Sequence, residues 1–217
     1  MGANDFETAF ATAFETALER QLLLPILRMD DAGRCLGLAR TLAARGFGLL
    51  EITLGTPAAA HLIETLAGEG VQIGAGTVCT SQDARRALAA GARFLVSPGL
   101  SPEVAGIALG AGVPYLPGVL SPTEVMQALN LGLRLLKLFP ASLGGPAYLQ
   151  QLKGPFPQAR WLVTGGVEVA DLPAWRAAGA LALGYGSRIV SAQALAAGDW
   201  EAIGRQVQQL RQRLDQA

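Results

Sequence analysis

From residue 22 onward the apolar positions fall into short runs, each followed by an alanine-rich stretch and then a glycine before the next run. The runs are LLLPILR (22–28), FGLLEITL (47–54), VQIGAG (71–76), RFLVSP (93–98), VPYLPG (113–118), LRLLKLFP (133–140), RWLVTGG (160–166) and ALALGYGS (180–187). Runs of this length, apolar on both faces and bounded by turn residues, predict strands of a parallel sheet covered by helices. Helix starts between them are signalled by Ser81 ahead of Asp83, Ser101 followed by Pro102, Ser121-Pro122 with Glu124 three residues on, and Asp171 near Pro173. A Ser or Asp side chain accepts from the free N–H groups of a first helical turn, and Pro there gives up no donor that was needed. Gly46, Gly70, Gly91, Gly112 and Gly179 each stand just before a run, where a left-handed residue ends a helix at least cost.

Ahead of this rhythm, Phe6, Phe10, Phe14 and Leu18 recur four apart, which predicts a helix with one apolar stripe. That stripe has two possible uses, plugging the bottom of the fold or packing against a neighbouring subunit. The last helix, about 200–215, is rich in Gln and Arg and suits the outer surface. Eight strand-helix units joined by short loops predict an α/β fold, a (β/α)8 TIM barrel with an extra N-terminal helix, spanning residues 1–217 as a single domain. A doubly wound open sheet is the alternative, although it rarely runs to eight equal units.

Composition narrows the function classes. Lys plus Arg and Asp plus Glu are 17 each in 217 residues, so no overall field favours nucleic acid or an acidic membrane, and anions must be met locally. No apolar run is long enough to span a bilayer. One histidine, His61, and two distant cysteines, Cys35 and Cys79, suggest neither a metal site nor a disulfide framework. No cofactor motif stands out, since GAGTV (74–78) resembles a nucleotide turn only superficially. The first residues lack a secretory pattern, and Asp5, Glu7 and Glu15 argue against a transit peptide, which predicts a cytoplasmic protein.

In a barrel the chemistry belongs at the C-terminal ends of the strands. Arg28, Glu51, Thr53, Thr77, Ser97, Lys137, Thr164 and Ser187 all fall at or near such ends. Lys137 is the most telling, because Leu135 and Phe139 share its face while Leu136 and Leu138 point the other way. Such a lysine either snorkels its amine to water or sits inside the barrel, where desolvation leaves a neutral amine able to attack a carbonyl. Glu51, set between leucine and isoleucine, fits a buried ion pair with Lys137 or Arg28 and equally a proton shuttle. The glycines of VTGGVEVAD (163–171) and GYGSRIV (184–190) end strands for structural reasons, or expose N–H groups at helix starts that bind phosphate.

The ordered set LEITL (50–54), GAGTV (74–78), SPG (97–99), PG (117–118), KLFPA (137–141), TGG (164–166) and GYGS (184–187) resembles the 2-keto-3-deoxy-6-phosphogluconate and 4-hydroxy-2-oxoglutarate aldolases across essentially the whole barrel. The resemblance implies a class I aldolase, without metal or cofactor, that acts on a phosphorylated keto acid and assembles as a homotrimer. It implies that Lys137 forms a Schiff base and that Glu51 moves the protons. Thr77 would bind the carboxylate end, Pro98 would contact substrate, Phe139 would pack by the imine, and Gly165, Gly166, Gly186 and Ser187 would hold the phosphate. The sequence departs from the family at Gly55, where several members carry an arginine that grips the carboxylate; Arg28 is similar to an arginine of other branches, including the 2-keto-3-deoxy-6-phosphogalactonate aldolases, which are the alternative assignment, and could supply that grip. Thr164 resembles the gluconate branch rather than the galactonate branch. Read without the resemblance, the same residues also fit a phosphate-binding barrel isomerase or epimerase, or a non-catalytic barrel that binds a phosphorylated metabolite.

Overall fold

A computed structural model describes residues 3–186 and 188–216, with side chains from residue 12 onward. The chain runs α1 (Ala3–Gln21), β1 (Leu23–Leu27), α2 (Ala32–Ala43), β2 (Leu49–Thr53), α3 (Ala59–Gly68), β3 (Gln72–Gly76), α4 (Ser81–Ala89), β4 (Leu95–Val96) and α5 (Pro102–Gly110). It continues with β5 (Tyr115–Leu116), β6 (Gly118–Val119), α6 (Pro122–Asn130), β7 (Leu135–Leu138), α7 (Gly145–Lys153), β8 (Arg160–Thr164), α8 (Leu172–Ala178), β9 (Ala180–Tyr185), α9 (Ala192–Ala197) and α10 (Trp200–Asp215).

All strand pairs are parallel, in the order β5-β4-β3-β2-β1-β9-β8-β7-β6. Nine strands arise where the apolar runs predict eight because Pro117, which has no N–H to give, divides the fifth run. Its two halves are the two ends of the sheet order, so the covalent chain through Pro117 closes the barrel. The Pro117 carbonyl still accepts from the Lys137 N–H at 2.9 Å, which keeps the two halves in one wall.

Two of the four signalled caps follow the sequence, at α5 and α6. Ser121 and Glu124 form a reciprocal capping box, and Ser101 caps α5. At α4 the capping residue is Thr80, paired with Asp83, and Ser81 is the first helical residue. Asp171 stands at the start of α8 but makes no side-chain cap bond.

Alternation along the strands sorts the core into two layers. Residues facing outward, among them Leu50, Ile52, Leu136, Leu138, Trp161 and Val163, pack under the helices. Those facing inward, Leu24, Leu49, Phe94, Val96, Leu116, Leu135, Leu162, Leu181 and Ala182, form a separate cluster together with Phe14 and Leu18 of α1. Phe14 and Leu18 of α1 therefore plug the end of the barrel where the strands begin. The Phe14 ring lies 4.7 Å from that of Phe94, centroid to centroid, and Leu18 is fully buried. Phe6 and Phe10, expected on the same stripe, lie outside the residues with described side chains.

Polar contacts fix the plug in place. The buried Gln21 amide donates to the carbonyls of Leu23 and Leu49 at 2.8 Å and accepts from the Leu49 N–H at 2.9 Å. Leu22, left-handed at φ 65°, then turns the chain into β1. Arg160 faces Glu15 and Glu19 at 3.5 and 3.6 Å, and Arg176 faces Glu19 at 3.7 Å, tying α1 to the bases of β8 and α8. No helix among the described residues is long and apolar enough to cross a membrane.

Because Phe14 fills the floor of the barrel, Phe14→Ala leaves a void facing Phe94. The expected loss is about 3–5 kcal/mol of unfolding free energy, measured by urea denaturation.

Candidate active site

Three strands repeat one local pattern on their inward face: a leucine of the barrel core and, two residues on, a polar residue. Leu49 precedes Glu51 on β2, Leu135 precedes Lys137 on β7, and Leu162 precedes Thr164 on β8. Side chains two apart share a face, so the leucines make an apolar floor and the polar groups stand above it toward the C-terminal mouth. Glu51 is 1% exposed and Lys137 6%.

Space for these groups comes from glycines on the neighbouring strands. Gly76 of β3 is where the Glu51 carboxylate lies; a Cβ there would overlap it. Gly74, in register with Glu51, accommodates the Phe94 ring, and Gly184, in register with Thr164, accommodates the threonine hydroxyl. Gly118 pairs in register with Lys137, and its missing side chain lets the Pro98 carbonyl approach.

Burial disfavours both charges. It pushes the Glu51 carboxyl above its ordinary range, against the pull of the Lys137 and Arg28 cations. It holds the Lys137 amine below its ordinary range; the Glu51 carboxylate opposes that shift and Arg28 adds to it. Each group thus counts the other among its main electrostatic partners, although they form no direct ion pair among the described residues. Oε2 of Glu51 and Oγ1 of Thr164 are buried without a hydrogen-bond partner, two unsatisfied polar atoms on the inward face. Nζ of Lys137 stands 4.9 Å from the centre of the Phe139 ring.

Arg28, exposed just past β1, reaches across the mouth and donates to Oγ1 of Thr77 at 3.2 Å. Thr77 is held left-handed at φ 59°, a strained conformation for a β-branched residue that aims its hydroxyl at the arginine. The loop after β2 is pinned by Thr53 and Thr56, each 3.4 Å from the Leu27 carbonyl. Ser97 turns its hydroxyl to the Val78 carbonyl at 2.5 Å, a structural role, while Pro98 beside it is exposed.

Gly165 and Gly166 follow β8, both left-handed, at φ 93° and 70°. A Cβ at Gly165 would press on the Phe139 ring at 3.0 Å, and one at Gly166 would strike Ser142. Gly186 follows β9 against Ile26, and Ser187 lies outside the described residues. Gly55 faces open space.

The structure thus gathers Lys137, Glu51, Thr164, Phe139, Arg28, Thr77, Pro98 and the glycine pair at one end of the barrel. Sequence reasoning missed three features there: Gly76 as the space for Glu51, Ser142, whose N–H donates to the Gly165 carbonyl at 3.0 Å, and an ion pair between Glu168 and Arg188. The serine had a visible signal in its place just beyond KLFPA. His61 is exposed on α3, and among the described residues no group of His, Cys, Asp and Glu is placed to hold a metal ion. The arrangement offers a buried amine and a buried carboxyl facing an open mouth, a pair suited to a substrate carbonyl and to proton transfer.

Comparison with known proteins agrees with this geometry. Residues 14–206 match the family model of KDPG and KHG aldolases. The chain is 40% identical over 189 residues to the 2-dehydro-3-deoxy-phosphogluconate aldolase of Treponema pallidum, covering 86% of this chain and 90% of that one. It is 43% identical to the solved 4-hydroxy-2-oxoglutarate/2-dehydro-3-deoxyphosphogluconate aldolase from TTHB1, with a TM-score of 0.79 over 92% of this chain and 98% of that one. It is 32% identical to the KDPG aldolase of Legionella pneumophila, solved with pyruvate captured as a covalent carbinolamine, with a TM-score of 0.83 over 90% and 97% of the two chains. A closed parallel barrel with a buried lysine and glutamate at its mouth, matched along most of its length by aldolases, is a carbon-carbon lyase that belongs to the KDPG and KHG aldolase family.

Proposed function

We propose that the chain cleaves 2-keto-3-deoxy-6-phosphogluconate to pyruvate and glyceraldehyde 3-phosphate through a Schiff base on Lys137. The observation that carries this reading is the position of Lys137, buried inside the barrel mouth with its amine held below the ordinary lysine range and opposite a carboxyl displaced upward. The covalent pyruvate adduct captured in the Legionella pneumophila relative supports it.

In this reading the neutral amine attacks C2 of the keto acid and gives a carbinolamine. Glu51 in its acid form protonates the departing hydroxyl, water leaves, and the iminium forms. Glu51, now a carboxylate, takes the proton of the C4 hydroxyl; the C3–C4 bond breaks, its electron pair moves to the iminium as an enamine, and the aldehyde is released. Protonation of C3 and hydrolysis of the iminium return pyruvate and the free amine. One carboxyl suits both giving and accepting because burial raises its pKa above the ordinary carboxylate range while the lysine and Arg28 restrain that rise.

The rest of the mouth is assigned by chemistry. Arg28, steadied by Thr77, meets the substrate carboxylate, the role that a glycine at position 55 leaves open. Pro98 and Phe139 wall the reacting carbons. Gly165 and Gly166, with Gly186 and Ser187, hold the phosphate. The Thr164 hydroxyl, buried on the inward face without a hydrogen-bond partner, is assigned to a substrate hydroxyl, which favours the gluconate over the galactonate epimer. The same amine and carboxyl also suit cleavage of 4-hydroxy-2-oxoglutarate to pyruvate and glyoxylate, at lower efficiency because nothing then occupies the phosphate loops.

Incubation with pyruvate and borohydride is expected to add one reduced pyruvate to Lys137 and none to Lys153, the only other lysine, as read by peptide mass spectrometry. Adduct on Lys153, or no adduct, rejects the Schiff base.

The pH dependence has a definite sign. Below the depressed Lys137 pKa the amine is protonated and does not attack, so the trapping rate rises as pH passes upward through that pKa. Glu51→Gln removes the carboxylate that holds the amine pKa up, so this rise moves to lower pH while kcat for cleavage falls roughly 10²–10⁴-fold. A rise that moves to higher pH contradicts the pairing.

Steady-state rates on the phosphorylated gluconate-derived and galactonate-derived substrates and on 4-hydroxy-2-oxoglutarate are expected to give kcat/KM in that descending order. A galactonate preference overturns the role given to Thr164.

A further inference from the structure

The two glycine loops proposed to cup the phosphate leave neighbouring strands and then part. Their last shared register is Thr164 with Gly184, and beyond it, among the described residues, no backbone hydrogen bond joins one loop to the other. The loop after β8 is held on its far side by the Ser142 N–H on the Gly165 carbonyl. On its near side it is held by charge: NH2 of Arg188, just past Gly186, is in direct contact with Oε1 of Glu168, two residues past Gly166. Tyr185, at the end of β9, also faces Glu168; burial pushes its phenol pKa up, and the negative charge of Glu168 adds to that shift. The two side chains are 63% and 40% exposed, so the pair is screened and adds little to global stability. Its position is what sets it apart. It spans the gap between two segments that would have to sit at one fixed separation to direct N–H groups at the same phosphate, and glycines at φ 93° and 70° do little to stiffen that geometry themselves.

The charge arithmetic points the same way. An unpaired arginine next to the glycine cup would itself be a strong phosphate ligand. Here Glu168 occupies its guanidinium, so the pair is close to neutral and the cup is left to backbone donors.

We propose that Glu168 and Arg188 are positioning residues, a clamp that fixes the spacing of the two glycine loops and so sets the preference for phosphorylated over unphosphorylated substrate. The proposal rests on the reading of these loops as the phosphate site. It requires neither residue to touch the reacting carbons.

The test compares wild type, Glu168→Gln, Arg188→Gln and the double exchange Glu168→Arg with Arg188→Glu, on the phosphorylated gluconate-derived substrate and on 4-hydroxy-2-oxoglutarate. Each single variant is expected to raise KM for the phosphorylated substrate roughly fivefold with kcat little changed, the scale of one exposed ion pair. Kinetics on 4-hydroxy-2-oxoglutarate should stay close to wild type, which also reports that the variants are folded. The double exchange is expected to recover most of the lost affinity, as a clamp requires. A lower KM in Glu168→Gln overturns the proposal, because it makes Arg188 a direct phosphate ligand that Glu168 holds in check. Equal effects on both substrates, or no effect in either single variant, also overturn it. If wild type shows no preference for the phosphorylated substrate and inorganic phosphate does not compete with it, the phosphate reading itself fails, and the clamp with it. If wild type does show that preference and the variants are silent, only the clamp fails.

Discussion

An amine and a carboxyl buried at the mouth of one barrel set the terms for the rest of this molecule. Neither Lys137 nor Glu51 is well placed to carry its charge alone, since burial works against both. Each stabilises the charged form of the other, so the two titrate as a coupled pair. Such a pair needs a low dielectric below and an opening above. The inward leucines and the α1 plug supply the first, and the ends of the strands supply the second.

The two ends of the barrel accordingly follow different rules. The end where the strands begin is held mainly by packing and paired polar groups: the Phe14 ring tilted against Phe94, the Gln21 amide bonded to Leu23 and Leu49, and Glu15 and Glu19 paired with Arg160 and Arg176, alongside a left-handed Leu22 and a Trp161 Nε1 without a hydrogen-bond partner. A cleft of about 600 Å3 also opens there, lined in part by Glu15, Arg134 and Arg160, and it lies at the opposite end from the buried amine. The other end carries features that cost stability: a left-handed threonine, an orphaned carboxylate oxygen and an orphaned hydroxyl. An unsatisfied carboxylate oxygen and an unsatisfied hydroxyl on the same inward face as a buried amine are what a site awaiting a polar ligand looks like.

Much of this was legible along the chain. The apolar runs and the glycines between them gave the strand-helix alternation, because a strand buried on both faces cannot tolerate polar residues at either parity. The same rule made Lys137 and Glu51 conspicuous. Parity put Lys137 on one face with Leu135 and Phe139, but with both faces apolar it did not say which face turns inward. The division of the fifth strand was less visible: a proline in an apolar run shows that a hydrogen bond is missing, but not that the gap falls at the seam of a closed sheet. Ser81 was read as a cap where Thr80 serves, since both neighbours carry a hydroxyl and only backbone angles separate them. Gly76 looked like one glycine among many, because the group whose space it provides lies on another strand.

What the sequence determined by itself is local and periodic: element types, caps, which residues share a face, and the presence of two ionisable groups where apolar ones belong. These depend on neighbours within a few positions, so one dimension is enough. The tertiary structure alone decided which distant groups meet: Arg28 with Thr77, Gly76 with Glu51, Ser142 with Gly165, Glu168 with Arg188, and α1 with the barrel floor. Sheet closure brings together residues dozens of positions apart, and no periodicity along the chain records which of them will face each other.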